Sequence, residues 1–191
     1  AGEREQAISH LNTAINLNPK SKWAYLWLGV ISSESKKFDT ATTLKWFTKA
    51  LEIDPRFDLA HYNIAWNYLR QKPRNYVKAE KSFRKALALN PDYKEAFYGL
   101  AMTYGYQNKY KIAHSYLSRA IEVDPLFLTA WKWRAIVNDE MKAYDKSLDD
   151  FSQAIKLDPA NSNIYMRRAR VFTKKKLYNE AMEDLLLAKS F

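Results

Sequence analysis

Cysteine is absent from this chain of 191 residues, which excludes disulfides, thiolate catalysis and cysteine-ligated zinc. Glycine and proline are scarce, with four and six residues, and this argues against long loops and strand-rich hairpins. No stretch approaches the ~18 apolar residues that a membrane-spanning helix needs. The chain opens with AGEREQ, which resembles no signal peptide and lies inside a helical pattern without an initiator Met. We therefore expect an excised part of a longer chain, with any targeting segment elsewhere. The compartment stays open, with the cytoplasm favoured.

The chain is rich in apolar and basic side chains. Hydrophobic residues make up 47% and aromatic residues 15% of the sequence, which is enough to bury a core. The net charge of +10 raises nucleic acid, an anionic membrane surface or an acidic peptide as partners. The alternative is that the Lys and Arg side chains serve solubility on exposed helix faces.

One six-residue phrase recurs five times and organises the chain. It occurs as AINLNP, ALEIDP, ALALNP, AIEVDP and AIKLDP, ending at prolines 19, 55, 91, 125 and 159. The steps between these prolines are 36, 36, 34 and 34 residues. Self-similarity at such a period is typical of a solenoid of stacked repeats.

Each phrase predicts the end of a helix. Proline just past a C-terminus cannot continue the helix, and the Asn or Asp before it is biased toward extended backbone. Apolar residues at three- and four-residue spacing before and after each proline predict two amphipathic helices per repeat. The predicted helices are 2–17, 22–34, 40–53, 58–71, 76–89, 94–107, 110–123, 128–141, 144–157, 162–175 and 178–190.

This pattern resembles the tetratricopeptide repeat, whose signature is W-x2-L-G-x2-Y…A-x3-F…A…P. The residues that carry the resemblance include Leu28-Gly29, Phe47 and Pro55 in the first copy, Tyr68, Ala79 and Phe83 in the second, Tyr104 and Ala113 in the third, Trp131 and Phe151 in the fourth, and Tyr165 and Ala181 in the fifth. The resemblance implies an all-α fold, a right-handed superhelical solenoid of antiparallel helix pairs. We expect a single solenoid over residues 1–191, with a half repeat at 1–21 and full repeats at 22–57, 58–93, 94–127, 128–161 and 162–191.

The two 36-residue steps require two extra residues each. Two residues inserted within a helix would rotate its apolar face by about 200°. We therefore place the extra pairs in turns, from Gln71 to Asn75 and from Glu34 to Asp39.

Two departures from the family pattern predict ion pairs. The seventh position of a repeat is usually apolar, but it is Arg134 in the fourth repeat and Arg168 in the fifth. Sixteen residues later stand Asp150 and Asp184. Because a buried guanidinium without a carboxylate is costly, we predict structural pairs Arg134–Asp150 and Arg168–Asp184.

The resemblance further implies that the first helix of each repeat lines a concave groove. The predicted groove residues are Trp23, Trp27, Tyr62, Asn63, Trp66, Tyr98, Met102, Tyr106, Lys132, Trp133, Arg167, Arg170 and Lys174. Exposed aromatic side chains tend to mark contact sites, and the basic end would favour an acidic ligand. The alternative is that these aromatic residues fill a tight superhelix. The carboxylate clamp of chaperone-binding members is absent, since no window of three repeats matches its Lys and Asn positions at more than one place.

Catalysis has little support in the sequence. His10, His61 and His114 are far apart and lack metal-ligand spacing, and no glycine-rich phosphate loop occurs. We expect His61 to be a packed core residue. The sequence thus predicts no enzyme activity and no cofactor.

The predicted function is a scaffold that binds a peptide or a segment of a partner protein. Single-stranded nucleic acid is the rival ligand, because basic residues crowd the last repeat from Arg167 to Lys176. Self-assembly is a third possibility, since the N-terminal half repeat lacks its partner helix and the last helix carries Leu185, Leu186 and Leu187 without a polar cap.

Overall fold

The computed structural model describes residues 2–34 and 39–191, which form eleven α-helices and no strand. The chain divides into two compact units, residues 1–99 and 100–191. The helices are α1 (Gly2–Leu17), α2 (Lys22–Ser33), α3 (Thr40–Ile53), α4 (Asp58–Arg70), α5 (Tyr76–Leu89), α6 (Lys94–Gly105), α7 (Tyr110–Val123), α8 (Leu128–Glu140), α9 (Tyr144–Leu157), α10 (Ser162–Lys174) and α11 (Tyr178–Ser190). Every observed boundary lies within two residues of the predicted one.

The recurring phrase ends its helix as predicted. Asp54, Asn90, Asp124 and Asp158 all have extended backbone with φ between −135° and −143°. Each of them donates its backbone N–H to the carbonyl of the alanine four residues earlier, at 2.9–3.0 Å. Because proline follows directly, the next residue has no N–H with which to continue the helix.

Side-chain caps fix the starts of three helices in the first unit. Ser21 accepts from the N–H of Ala24, Asp39 from those of Ala41 and Thr42, and Asn75 from that of Lys78. The cap by Asn75 confirms that the predicted long turn lies between α4 and α5, at residues 71–75. The other predicted long turn, from Glu34 to Asp39, includes residues 35–38, which lie outside the described residues.

In the last three repeats, the turn between the two helices of a repeat contains a single residue in the left-handed conformation. Asn108, Lys142 and Lys176 have φ of 58°, 60° and 63°, and they lie 34 residues apart. A left-handed residue just past a helix end lets the chain reverse in few residues, which keeps these repeats short.

The core of each unit runs across neighbouring repeats. In the first unit, Phe47 and Ala50 of α3 pack with Phe57 and Ala60 of the next repeat. In the second unit, Phe151 and Ala154 of α9 pack with Ile164 of α10. In both clusters one repeat therefore completes the core of its neighbour, as in solenoids in general.

Candidate binding surface

The exposed aromatic residues of the first unit begin on α2. Trp23 and Trp27 are 49% and 51% exposed, and their four-residue spacing sets them on one face of the helix. Trp23 also packs edge-on against Phe57, with ring centroids 4.9 Å apart. Trp27 is thus the more open of the two indoles for contact with another molecule.

The next predicted groove residues form a packed aromatic cluster. Trp66 lies between Tyr98, at 5.8 Å between centroids, and Phe83, at 5.6 Å. Tyr62 contacts the same Phe83 ring at 5.9 Å, and burial raises the pKa of its phenol. Asn63 donates its side-chain amide to the carbonyl of Leu59 on its own helix. Much of the Tyr62 and Trp66 surface is therefore core rather than open groove.

Gly99 lies among the predicted groove residues but has no side chain to contribute to the groove. A Cβ at this position would lie 2.3 Å from ring atoms of Phe83, whose side chain is fully buried. The Phe83 ring occupies the space that a side chain at residue 99 would need. The matching position of the other repeats carries Trp27, Asn63, Trp133 or Arg167, so Gly99 leaves a gap in this row of side chains.

The second unit contains an apolar pocket of about 180 Å³ between α6, α7 and α8. Three predicted groove residues contribute to its lining: Met102, Tyr106 and Trp133. Met102 is buried at its base, whereas Tyr106 is 43% exposed. Glu140, at the end of α8, also lines the pocket and brings a carboxylate to it. Such a pocket can hold one large apolar side chain and has a negative charge at its edge.

The predicted basic end is largely engaged in internal contacts. Lys174 donates to both carboxylate oxygens of Asp139, at 2.6 and 2.7 Å. Lys175 donates to one carboxylate oxygen of Asp145, Oδ1. Arg167 donates to the side-chain oxygen of Asn163 at 2.9 Å. The remaining basic residues of the predicted groove are Lys132, which is half-buried, and Arg170, which is exposed.

The structure brings together both predicted arginine–aspartate pairs. Arg168 donates from Nε and Nη2 to the two oxygens of Asp184, at 2.8 and 2.7 Å. Arg134 contacts Asp150 with the same geometry, at 3.0 and 2.7 Å. These pairs join the two helices of one repeat and lie apart from the pocket.

Sequence reasoning missed the second partner of each arginine. Arg134 also donates from Nη1 to Ser118 at 3.0 Å, and Arg168 likewise donates to Ser152 at 2.9 Å. Each serine stands 16 residues before its arginine, the mirror of the 16-residue step to the aspartate. That spacing, repeated after 34 residues, was a signal available in the sequence.

The fourth residue of a repeat binds the carbonyl of the preceding proline in three of the repeats. The indole of Trp131 donates to Pro125 at 2.8 Å, and the hydroxyl of Tyr165 donates to Pro159 at 3.1 Å. His61 is buried with its Nε2 3.2 Å from the carbonyl oxygen of Pro55. His61 therefore serves the packing of its turn, which confirms the predicted core role.

The described residues contain neither a metal-binding cluster nor a membrane-spanning helix. No group of three or more His, Asp or Glu side chains lies close enough to hold a metal ion within residues 2–34 and 39–191. Over the same residues, no helix combines the length and the apolar character needed to cross a membrane.

Comparison with known proteins identifies the fold and the repeat. Residues 98–161 match the sequence model of the tetratricopeptide repeat. Among solved structures, the chain is similar to PilW, a widely conserved type IV pilus biogenesis factor, with 20% identity over 96% of this chain and 83% of that chain and a TM-score of 0.84. It is also similar to PilF of Pseudomonas aeruginosa, with 21% identity over 98% of this chain and 78% of that chain and a TM-score of 0.77.

A third similar structure is YrrB, which is described as a tetratricopeptide-repeat protein with an unusual peptide-binding site. It shares 23% identity over 93% of this chain and 90% of that chain, with a TM-score of 0.69. No curated protein sequence matches the chain. These findings agree with the resemblance: residues 98–161 match the tetratricopeptide-repeat model, and the similar structures show that the chain has the all-α fold of antiparallel helix pairs.

Proposed function

We propose that this chain is a protein-interaction scaffold that binds an extended or helical segment of a partner protein. The observation that carries the proposal is the apolar pocket between α6 and α8, with Tyr106 and Trp133 in its lining. Concave apolar sites with a few polar groups at the edge are the usual form of a binding site. Structural similarity to YrrB, whose described site binds peptide, supports a ligand of the same kind.

The half-exposed indole of Trp27 is a separate candidate contact site, within the first unit. Aromatic side chains dominate the binding energy of many interfaces, because they bury a large area at low entropic cost. We therefore assign ligand contact first to Trp27 and Tyr106. Trp66 is assigned mainly to packing, since three aromatic rings surround it: Tyr62, Phe83 and Tyr98.

A peptide ligand explains the last repeat better than single-stranded nucleic acid does. Binding of a strand needs cations that face the phosphates along a continuous track. Here Arg168, Lys174 and Lys175 each contact a carboxylate of the chain itself. Their charge is largely offset before any ligand arrives.

A random-peptide display library panned against the purified chain tests the proposal. We expect enriched peptides that share a large apolar residue. A synthetic, labelled copy of an enriched peptide then serves as the probe in fluorescence anisotropy. Tyr106→Ala should lower the affinity of the chain for this peptide about tenfold or more, because loss of an anchor costs about 1–2 kcal/mol. Tyr178→Ala is the matched control, since Tyr178 is 63% exposed on α11. Absence of enriched peptides, or equal binding to both variants, would overturn the proposal.

A further inference from the structure

Most of the chain's excess positive charge lies between the last residue of α4 and the middle of α5. The sequence from residue 70 to residue 85 contains seven basic residues: Arg70, Lys72, Arg74, Lys78, Lys81, Arg84 and Lys85. It contains one acidic residue, Glu80, so its net charge is seven minus one, or +6, against +10 for the whole chain. In the last repeat, Arg168, Lys174 and Lys175 each contact a carboxylate.

Three of these lysines line one cleft of about 280 Å³ between α3, α4 and α5. Lys78, Lys81 and Lys85 follow the spacing that sets residues on a single helix face. Ser82, which lies between them, also lines the cleft. Among the residues that the structure describes, no carboxylate lines it.

The nearby acidic residues have partners of their own. Glu80 accepts from Arg84 at 2.8 Å, and Glu52 accepts from Lys49 at 2.7 Å. Asp58 accepts from the side-chain amide of Asn90 at 3.2 Å. The charge of the lysine-lined cleft is therefore not offset by carboxylates within it.

We infer that this cleft binds an acidic peptide segment of a partner protein. Lys78 and Lys85 are about 10 Å apart along the helix axis at 1.5 Å per residue. An extended peptide covers this distance in about three residues at ~3.3 Å each, and its alternate side chains lie on one face, so acidic side chains two residues apart can reach neighbouring lysines. Ammonium and carboxylate groups form charge-assisted hydrogen bonds of the stronger kind.

The same cleft is poorly suited to nucleic acid. Binding of single strands relies on aromatic faces on which bases stack. Two rings line this cleft: His61 is buried, and Tyr68 has the Nζ of Lys78 at 5.4 Å from its centroid, which covers one face of the Tyr68 ring. The cleft also lies on a different face of α4 from the predicted groove, since it uses His61, Ile64 and Tyr68 rather than Tyr62 and Trp66.

Fluorescence anisotropy with a labelled peptide, acetyl-Gly-Glu-Glu-Glu-Glu-Gly-amide, tests the inference on the whole chain. A copy with Gln in place of each Glu is the uncharged probe, and an oligothymidine of comparable charge is the nucleic-acid probe. The test variant changes Lys78, Lys81 and Lys85 to Gln. The matched control changes Lys20, Lys156 and Lys189 to Gln, which removes the same charge from exposed positions elsewhere. Circular dichroism checks that both variants keep the helicity of the parent.

We expect the Glu peptide to bind and the Gln peptide not to bind. The test variant should lose about tenfold in affinity, the product of three exposed ion pairs of modest strength, while the control loses no more than about twofold. Equal losses in both variants would mean that only net charge matters and would overturn the inference. Absence of binding by the Glu peptide, or tighter binding of the oligothymidine with the same loss in the test variant, would overturn it as well.

Discussion

Arg134 and Asp150 meet through two parallel hydrogen bonds between α8 and α9, although Asp150 is only 5% exposed. The carboxylate also accepts from Nδ2 of Asn138 at 2.9 Å. A buried ion pair of this kind contributes little net stability when complete, but loss of one partner leaves an uncompensated charge. The pair is therefore a strong constraint on which substitutions this repeat can accept.

Arg134→Ile should destabilise the chain by about 3–5 kcal/mol, because Asp150 would remain buried without its cation. The double variant Arg134→Ile with Asp150→Ser copies Ile64 and Ser82 of the second repeat and should recover most of that loss. Urea unfolding followed by circular dichroism measures both. A double variant no more stable than the single one would contradict the pairing argument.

Gly99→Ala should destabilise the chain by about 1–3 kcal/mol, because an added methyl would clash with the buried Phe83 ring. Gly105→Ala is the control on the same helix, since nothing lies within 4 Å of a Cβ at that position. The control should be neutral or slightly stabilising, given the better helix propensity of alanine. Thermal melting of the two variants side by side distinguishes steric conflict from a general effect of adding a methyl group.

Stability should fall as the pH drops through about 6.5, the ordinary histidine value. Burial lowers the pKa of His61, and it also lowers that of His114, where Arg134 and Lys146 add to the effect. Both groups therefore bind protons more readily in the unfolded chain, and the stability present above the unfolded pKa is lost as the pH falls toward the folded one.

The groups around each histidine set the size of this effect. Lys85 opposes protonation of His61, while Asp58 and the Pro55 carbonyl favour it. Asp150 favours protonation of His114. His61→Phe and His114→Leu copy Phe97 and Leu148 of the following repeats. Urea midpoints at about pH 7.5 and about pH 5.5, on either side of the histidine value, should differ less in these variants than in the parent.

Glu140 should decide which charge a ligand carries beside its apolar anchor. Its carboxylate is at the edge of the Met102–Tyr106–Trp133 pocket, so peptides selected on the chain should place Lys or Arg next to the anchor. Glu140→Lys should reverse this preference, since like charges at close range weaken binding. Anisotropy titrations with matched Lys and Glu versions of one selected peptide measure the change. Equal preference in parent and variant would contradict it.

Self-association through α11 should be detectable as a concentration-dependent mass. Met182, Leu186 and Phe191 are each more than half exposed, and exposed apolar patches of this kind favour association. Light scattering coupled to size exclusion should show the mass rise toward twice the monomer at high concentration. Leu186→Lys should abolish the rise, whereas Val77→Lys, on the exposed part of α5, should leave it unchanged.

The helices could be predicted closely because their limits are set by local chemistry. Proline and the residue before it stop a helix wherever they occur, and Asn75 or Asp39 starts one through bonds within three residues. The arginine–aspartate pairs could also be predicted from the sequence, since both partners recur at a fixed spacing. These features depend on positions close together in the repeat rather than on how repeats pack.

The candidate site was harder to predict from the sequence because it depends on contacts between repeats. Asp139 reaches Lys174 across 35 residues, and no pattern within one repeat marks that contact. The depth of Met102 and the packing of Trp66 follow from rings contributed by neighbouring helices. The basic cleft on α5 could not be predicted for another reason. Its lysines lie on the polar face of an amphipathic helix, where lysine is expected merely for contact with solvent.

Arg134 binds α7 through Ser118 and α9 through Asp150, and Arg168 binds α9 through Ser152 and α11 through Asp184. Polar links thus run unbroken from α7 to α11, with each arginine held at both ends. The same repeat position carries Leu28, which is buried, and Ile64, which packs against the apolar core of the first unit. Hydrogen bonds weaken steeply when their geometry changes, whereas apolar contact is non-directional and tolerates small shifts. Each of these arginines therefore fixes how three consecutive helices of the second unit are aligned.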